Sequence, residues 1–194
     1  MRLVTHPTIE LMAADESPAP PPLTQLSEEE SLFQASLRQF AREKLAPHVR
    51  SMDEAGVFRK DLIEEFFALG LMGIEIPEEY GGQGGTFFQS ILAIEELAKV
   101  DPSASVVVDV QNTLFNNAIL RWGSKEQKQR WLSRAARDTV ASYALSEAGS
   151  GSDAFAMATR AVEEGDAYRL NGRKLWITNA AEAGLFLLLS LIHI

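Results

Sequence analysis

The hydrophobic period of the chain changes once, near Asp138, and no single regular element accommodates both patterns. Before it, apolar residues recur at three and four positions, as on a helix face. After it, Val140, Ser142, Ala144 and Ser146 alternate with Ala141, Tyr143 and Leu145, as along a strand. The expected class is α+β and multidomain, with a helical domain over 24–138 and a β domain from 139 to 194. Residues 1–23 include Pro18, Pro20, Pro21 and Pro22 and lack a helical period, so they read as a disordered tail.

Ser27 with Glu30, Thr86 with Gln89 and Ser124 with Gln127 form capping boxes, in which two side chains satisfy orphan N–H groups reciprocally. The first opens a helix with Phe33, Leu37, Phe40, Ala41 and Leu45 on one face, and Pro47 marks its end. Glu28, Glu29 and Glu30 suit the positive end of its dipole. A second helix is expected over Asp61–Leu69, with Leu62, Ile63, Phe66 and Leu69 inward and Gly70 as the left-handed cap. Gly73–Gly85 is punctuated too heavily for a regular element and reads as a loop. A helix with Phe88, Ile91, Leu92 and Leu97 then runs to Asp101 and Pro102. Ser103–Leu120 reads as a helix apolar on most sides, and a shorter helix carries Trp131 and Leu132.

In the second unit, Thr159–Val162 reads as a strand and Glu163–Asp166 as a turn. Tyr168 and Leu170, then Asn171-Gly172, then Leu175 and Ile177 read as a hairpin closed by a type I′ turn, giving consecutive antiparallel strands. Leu185–Ile194 is a further apolar strand with no later element to pair its edge, and the sequence is expected to be cut short.

Composition narrows the function. Eighteen basic against 27 acidic residues give a formal charge of −9, which disfavours nucleic-acid binding. The absence of cysteine removes disulfides, thiolate metal sites and thiol nucleophiles. No stretch approaches the roughly 20 apolar residues of a membrane span. His6, His48 and His193 have no metal-ligand spacing. In the tail Arg2 stands alone against Glu10, Asp15 and Glu16, so no targeting signal is legible there.

The chemistry concentrates in Tyr143, Ala144, Leu145, Ser146, Glu147, Ala148, Gly149, Ser150, Gly151, Ser152 and Asp153, a strand running into a loop of small residues. Such a loop lets backbone amides and serine hydroxyls surround an anion, and it is also what a plain surface loop contains. Gly149, Gly151 and Ala154 fit the dinucleotide pattern G-x-G-x-x-A, but the strands expected downstream leave no room for the crossover helix that motif needs. In Trp176, Ile177, Thr178 and Asn179, alternation puts Trp176 and Thr178 on one strand face. There an indole and a hydroxyl suit a planar heteroaromatic ligand, while core packing of Trp176 is the simpler reading.

Together the two segments resemble the acyl-CoA dehydrogenase family, whose flavin signature Ala144–Asp153 matches without a mismatch. Further resemblance lies in Gly70–Glu75, Glu79–Gly82, Ile94–Asp101 and Lys174–Thr178. Gln111–Leu114, Leu145–Gly149 and Ala181–Phe186 are most similar to the short/branched-chain branch, while Ser190–Ile194 departs from the family. The resemblance implies a helical N-terminal domain and the first strands of a middle β-barrel, with the C-terminal helical bundle absent. It implies FAD bound along Tyr143–Ser152, with Leu145 and Ser146 at the pyrimidine edge. Ser152 would lie near a pyrophosphate and the acyl-CoA, and Trp176, Ile177 and Thr178 would lie beside the isoalloxazine.

The implied reaction converts short or 2-methyl-branched acyl-CoA to trans-2-enoyl-CoA, with electrons passed to electron-transfer flavoprotein. The family's base is a glutamate of the C-terminal domain, so no catalytic residue is assigned here, and Glu147 is expected to hold its loop. The Ser103–Leu120 helix is expected to serve the core before any acyl pocket. By resemblance the parent is a mitochondrial-matrix homotetramer of branched-chain and isoleucine catabolism, and this chain alone is inactive and marginally stable. An acyl-CoA oxidase, or a non-catalytic fragment binding flavin or a full-length subunit, remain alternatives.

Overall fold

The computed structural model describes Pro22 and residues 25–192, so the expected tail, His6 and His193 lie outside the described residues, Pro22 apart. Helices start where the capping boxes put them. In α1 (Glu28–Phe40), α4 (Phe87–Ala98) and α7 (Lys125–Arg137) both reciprocal bonds of the box are formed. Pro47 does not end the first helix. The chain passes through a π turn, Ala41–Leu45, and a 3-10 turn, Ala46–His48, into α2 (Val49–Ala55). Proline is tolerated there because the first N–H groups of a helical segment lack an intrahelical acceptor.

In α3 (Lys60–Ala68), Leu62, Ile63 and Phe66 are buried and Gly70 is left-handed at φ 73°, whereas Leu69 falls past the helix end and is 49% exposed. Gly73–Gly85 is a loop containing the short turn Glu78–Tyr80. Phe66 forms the centre of the helical core, edge-on to Phe40 at 6.0 Å and tilted against Phe58 at 6.2 Å. Buried Glu96 ties α4 to α1 by two 3.0 Å bonds from the Arg38 guanidinium, with Lys99 Nζ at 2.8 Å. These bonds, Arg38's first, hold its carboxyl below the usual carboxylate range.

The expected Ser103–Leu120 helix is α5 (Pro102–Asp109), a π segment Val110–Asn116 and α6 (Asn117–Trp122). Beside Ala104 and Val108 its fully buried residues include three polar ones that the apolar reading did not single out, Gln111, Asn112 and Asn116, all 0% exposed, whereas Val106 is 40% exposed. Asn112 accepts from the Ile74 amide at 3.0 Å and donates to the Leu71 carbonyl at 2.7 Å, and Asn116 donates to the Met72 carbonyl at 2.9 Å. These amides supply the partners that an irregular buried backbone needs. Among the described residues no helix is long and apolar enough to cross a membrane.

Strand β1 (Ala141–Ala144) pairs in parallel with β4 (Leu185–Leu188), Tyr143 opposite Leu187. The hairpin β2 (Arg160–Glu164) and β3 (Ala167–Asn171) is antiparallel, with Gly165 at φ 65° in its two-residue loop. Leu191 bridges to Arg160, joining the hairpin to the end of β4. Three expectations are thereby corrected. The strands are not all consecutive and antiparallel, because residues 145–184 supply the long crossover that a parallel pair requires. The expected Leu185–Ile194 strand is regular only over Leu185–Leu188, where the earlier strand β1 covers one of its edges. Asn171-Gly172 is not a type I′ turn: neither residue has the positive φ that turn demands, and glycine is needed because a Cβ at 172 would strike Thr159.

Candidate functional site

Gln111 places the start of β1. Its Oε1 accepts from the Ala141 amide at 2.7 Å, and its Nε2 donates to the carbonyls of Ala135 and Thr139 at 2.9 and 3.1 Å. One side of β1 packs Ala141 with Phe115, Leu132 and Leu185 of the second core cluster. On that side Tyr143 lines an apolar cleft of about 660 Å³ with Phe115, Ile119, Trp131 and Leu187. Ala144, on the opposite side, lines a smaller cavity of about 240 Å³ with Thr159, Lys174 and Phe186.

The edge of β1 that faces away from β4 is incompletely occupied. The ladder uses alternate residues, as shown by the Leu189 amide donating to the Ala144 carbonyl at 3.1 Å. Residues 141, 143 and 145 therefore direct their N–H and C=O groups outward. The Ala141 groups are taken by Gln111 and by Asn179 Nδ2 at 3.3 Å, and the Leu145 carbonyl by Lys174 Nζ at 2.8 Å. The outward N–H groups of Tyr143 and Leu145 have no acceptor among the described residues.

Beyond the strand the loop is held from within. Glu147 and Ser150 exchange backbone bonds at 2.8 and 3.2 Å around Ala148 and Gly149. The Glu147 carboxylate accepts from the amides of Ala158 at 2.6 Å and Thr159 at 3.0 Å and from Lys174 Nζ at 2.7 Å. The Lys174 ammonium, aided by Thr159 and the Ala158 amide, holds this carboxyl down to about 2. So weak a base is poorly suited to removing a carbon-bound proton, and its bonds perform the loop-holding role expected of it.

Depression below the ordinary 4.5 means that the contribution of Glu147 to stability is complete above that value and is lost as the pH falls toward about 2. Acid titration of Glu147→Gln, followed by circular dichroism, is expected to show lower stability at pH 7 and a shallower loss between those limits. An unchanged acid limb would count against the pair.

The other expected residues are divided. Ser150 is buried and its hydroxyl donates to the Asp153 carbonyl at 2.9 Å, so it does not face outward as a phosphate donor. Ala148, Gly149, Gly151 and Ser152 are exposed, and a Cβ at either glycine would meet open space.

Trp176 and Thr178 do not share a strand face, because 172–184 is not a strand. The Leu175 amide bonds the Ser146 carbonyl at 2.9 Å and the Thr178 carbonyl accepts from Ser142 Oγ at 2.8 Å. Between these anchors Trp176 takes φ 58°, which interrupts the alternation and leaves it 94% exposed, while Ile177 and Thr178 are half-buried. Both segments nonetheless meet at the end of β1. Lys174 and Gln111 complete the site, although neither carries a local signal of its role; each acts across about 30 residues.

Two family descriptions match in tandem: the acyl-CoA dehydrogenase N-terminal domain over residues 27–139 and the middle domain over 142–191. A probable short/branched chain specific acyl-CoA dehydrogenase of Dictyostelium discoideum is 55% identical over 87% of this chain and 41% of its own length. The mitochondrial short/branched chain specific enzyme of Bos taurus is 46% identical over 93% of this chain and 42% of its own. A glutaryl-CoA dehydrogenase from Mycobacterium smegmatis in complex with FADH2 superposes with a TM-score of 0.81 at 35% identity, covering 87% of this chain and 44% of that one. The chain thus spans about two fifths of the length of the curated relatives it matches. Its helical unit and its first β strands follow in the order of the two matched domains, and the chain belongs to the acyl-CoA dehydrogenase family.

Proposed function

We propose that this chain contributes the flavin-holding strand and loop of an FAD-dependent acyl-CoA dehydrogenase. The observation that carries the reading is the outer edge of β1, where the N–H groups of Tyr143 and Leu145 stand open beside the Trp176–Thr178 segment. Donors of this kind fit the carbonyl-rich pyrimidine edge of a flavin. Tyr143, Ala144, Leu145, Ser146, Glu147, Ala148, Gly149, Ser150, Gly151 and Ser152 form the proposed cofactor segment, with Ser152 also toward acyl-CoA. Trp176, Ile177 and Thr178 form its second wall. When bound, FAD would supply the hydride acceptor for oxidation at the acyl β carbon. The chain's own residues orient that cofactor: Gln111 sets the strand, Glu147 sets the loop and the apolar walls exclude water.

Similarity to short/branched-chain relatives supports short or 2-methyl-branched acyl-CoA as the parent's substrate, electron-transfer flavoprotein as acceptor, a homotetramer, and the mitochondrial matrix in isoleucine catabolism. The division at 24–138 and 139–194 belongs to the same reading. No residue of this chain is proposed as the base. The test is a titration of the 194-residue chain with FAD, followed by anaerobic addition of 2-methylbutyryl-CoA. Saturable quenching of flavin fluorescence with no bleaching is the expected result. Absence of quenching would overturn the flavin assignment, and bleaching would overturn the assignment of the base elsewhere.

A further inference from the structure

The edge of β4 that faces away from β1 is bare. Leu185 and Leu189 donate their amides to the Val140 and Ala144 carbonyls at 3.3 and 3.1 Å, so residues 185, 187 and 189 turn their backbone groups toward β1. Phe186 and Leu188 turn theirs to the opposite side, where no strand lies among the described residues. Charge, proline or a bulge usually protects such an edge, yet residues 184–192 contain no charged residue and no proline. Alongside it runs the apolar cleft of about 660 Å³, whose lining includes Phe186, Leu188 and Trp122 but no charged side chain. The cleft leaves room for a further strand.

We propose that a second copy of this chain occupies it, the two β4 strands pairing antiparallel about a two-fold axis at Leu187. The bonding groups dictate this register. With the axis at Leu187, Phe186 of each copy faces Leu188 of the other, and each such pair can exchange both of its N–H···O=C bonds, so every outward group of the two strands is used. Moving the axis by one residue leaves half of those groups unmatched within β4.

Charge and area agree with this occupant. Each copy carries a net charge of −9, but the contact strip itself is uncharged, and repulsion from beyond about 8 Å is screened at physiological salt. Trp122 is 80% and Phe186 52% exposed. Covering both on each copy, at roughly 150–250 Å² per aromatic side chain, together with the strand edges brings the interface to the order of 1,000 Å², the size of a weak dimer. Two parallel strands also become one sheet of the order β1-β4-β4-β1, which is less marginal than a pair. The outer edge of β1 stays free, so the inference does not depend on the flavin reading.

The test begins with sedimentation of the 194-residue chain at about 1 to 100 μM, where the mass is expected to rise from 21.4 kDa to twice that value and stop, because a two-fold contact closes. Hydrogen exchange on the same wild-type samples should show the Phe186 and Leu188 amides gaining protection as concentration rises. The chain has no cysteine, so Leu187→Cys gives one thiol per copy. Cα atoms at the axis lie about 4.5 Å apart, within disulfide reach, and oxidation should yield a covalent dimer. Ser190→Cys places its thiols about 20 Å apart in this register and should not cross-link. Leu187→Lys and Leu187→Glu, checked for folding by circular dichroism, should each weaken association about tenfold or more, and mixing them should restore it. A monomer at the highest concentration, assembly that continues past the dimer, or equal cross-linking at 187 and 190 would overturn the proposal.

Discussion

Gln111→Met is expected to lower the unfolding free energy by about 3 kcal/mol, measured by urea denaturation, and to weaken FAD retention in parallel. The replacement fills nearly the same space, so the loss comes from polar groups rather than from a cavity. It strands the Ala141 amide and removes a donor from the Ala135 and Thr139 carbonyls, at a site that is 0% exposed. A buried group left without its partner costs about 1–3 kcal/mol. Gln111→Glu is expected to be worse, since it sets a carboxylate oxygen against those two carbonyls. A loss below about 1 kcal/mol for the Met variant would show that the Ala141 amide finds another partner.

Phe66→Ala should cost more, about 3–5 kcal/mol, because it empties a fully buried aromatic site and removes its contacts with Phe40 and Phe58. Its signature differs from that of Gln111. Phe66 belongs to the helical core and Gln111 bonds the first strand, so the Phe66 variant should retain FAD affinity at temperatures below its lowered transition. Thermal unfolding and flavin titration on the same samples separate the two effects. Parallel losses of stability and affinity in Phe66→Ala would mean that the two units unfold as one.

Local chemistry was the legible part of this molecule. Each capping box joins residues three apart, and Gly70 terminates α3 by its own backbone conformation, so neighbours in the chain suffice to specify them. The change of period at Asp138 marked the passage from helix to strand for the same reason. The Ala144–Asp153 segment could likewise be singled out from its spacing, and Glu147 as its holder.

Where the reading went astray, the deciding partner was distant. Asn171-Gly172 looks like a hairpin turn, yet its glycine answers to Thr159. Alternation around Trp176 suggests a strand, yet anchors at Ser142 and Ser146 force a left-handed residue between them. The apolar tone of Ser103–Leu120 hides three buried amides whose acceptors lie on other segments.

The amino-acid order alone therefore determined where helices begin and where strands take over, because these depend on bonds and periods within a few residues, and resemblance to the family signature marked the Ala144–Asp153 loop. Tertiary structure alone decided that β1 lies parallel to β4, that Gln111 sets the strand and that Lys174 grips the Leu145 carbonyl just beyond it. Those features depend on hydrogen bonds closed across some 30 to 40 residues, for which neither propensity nor period carries a signal.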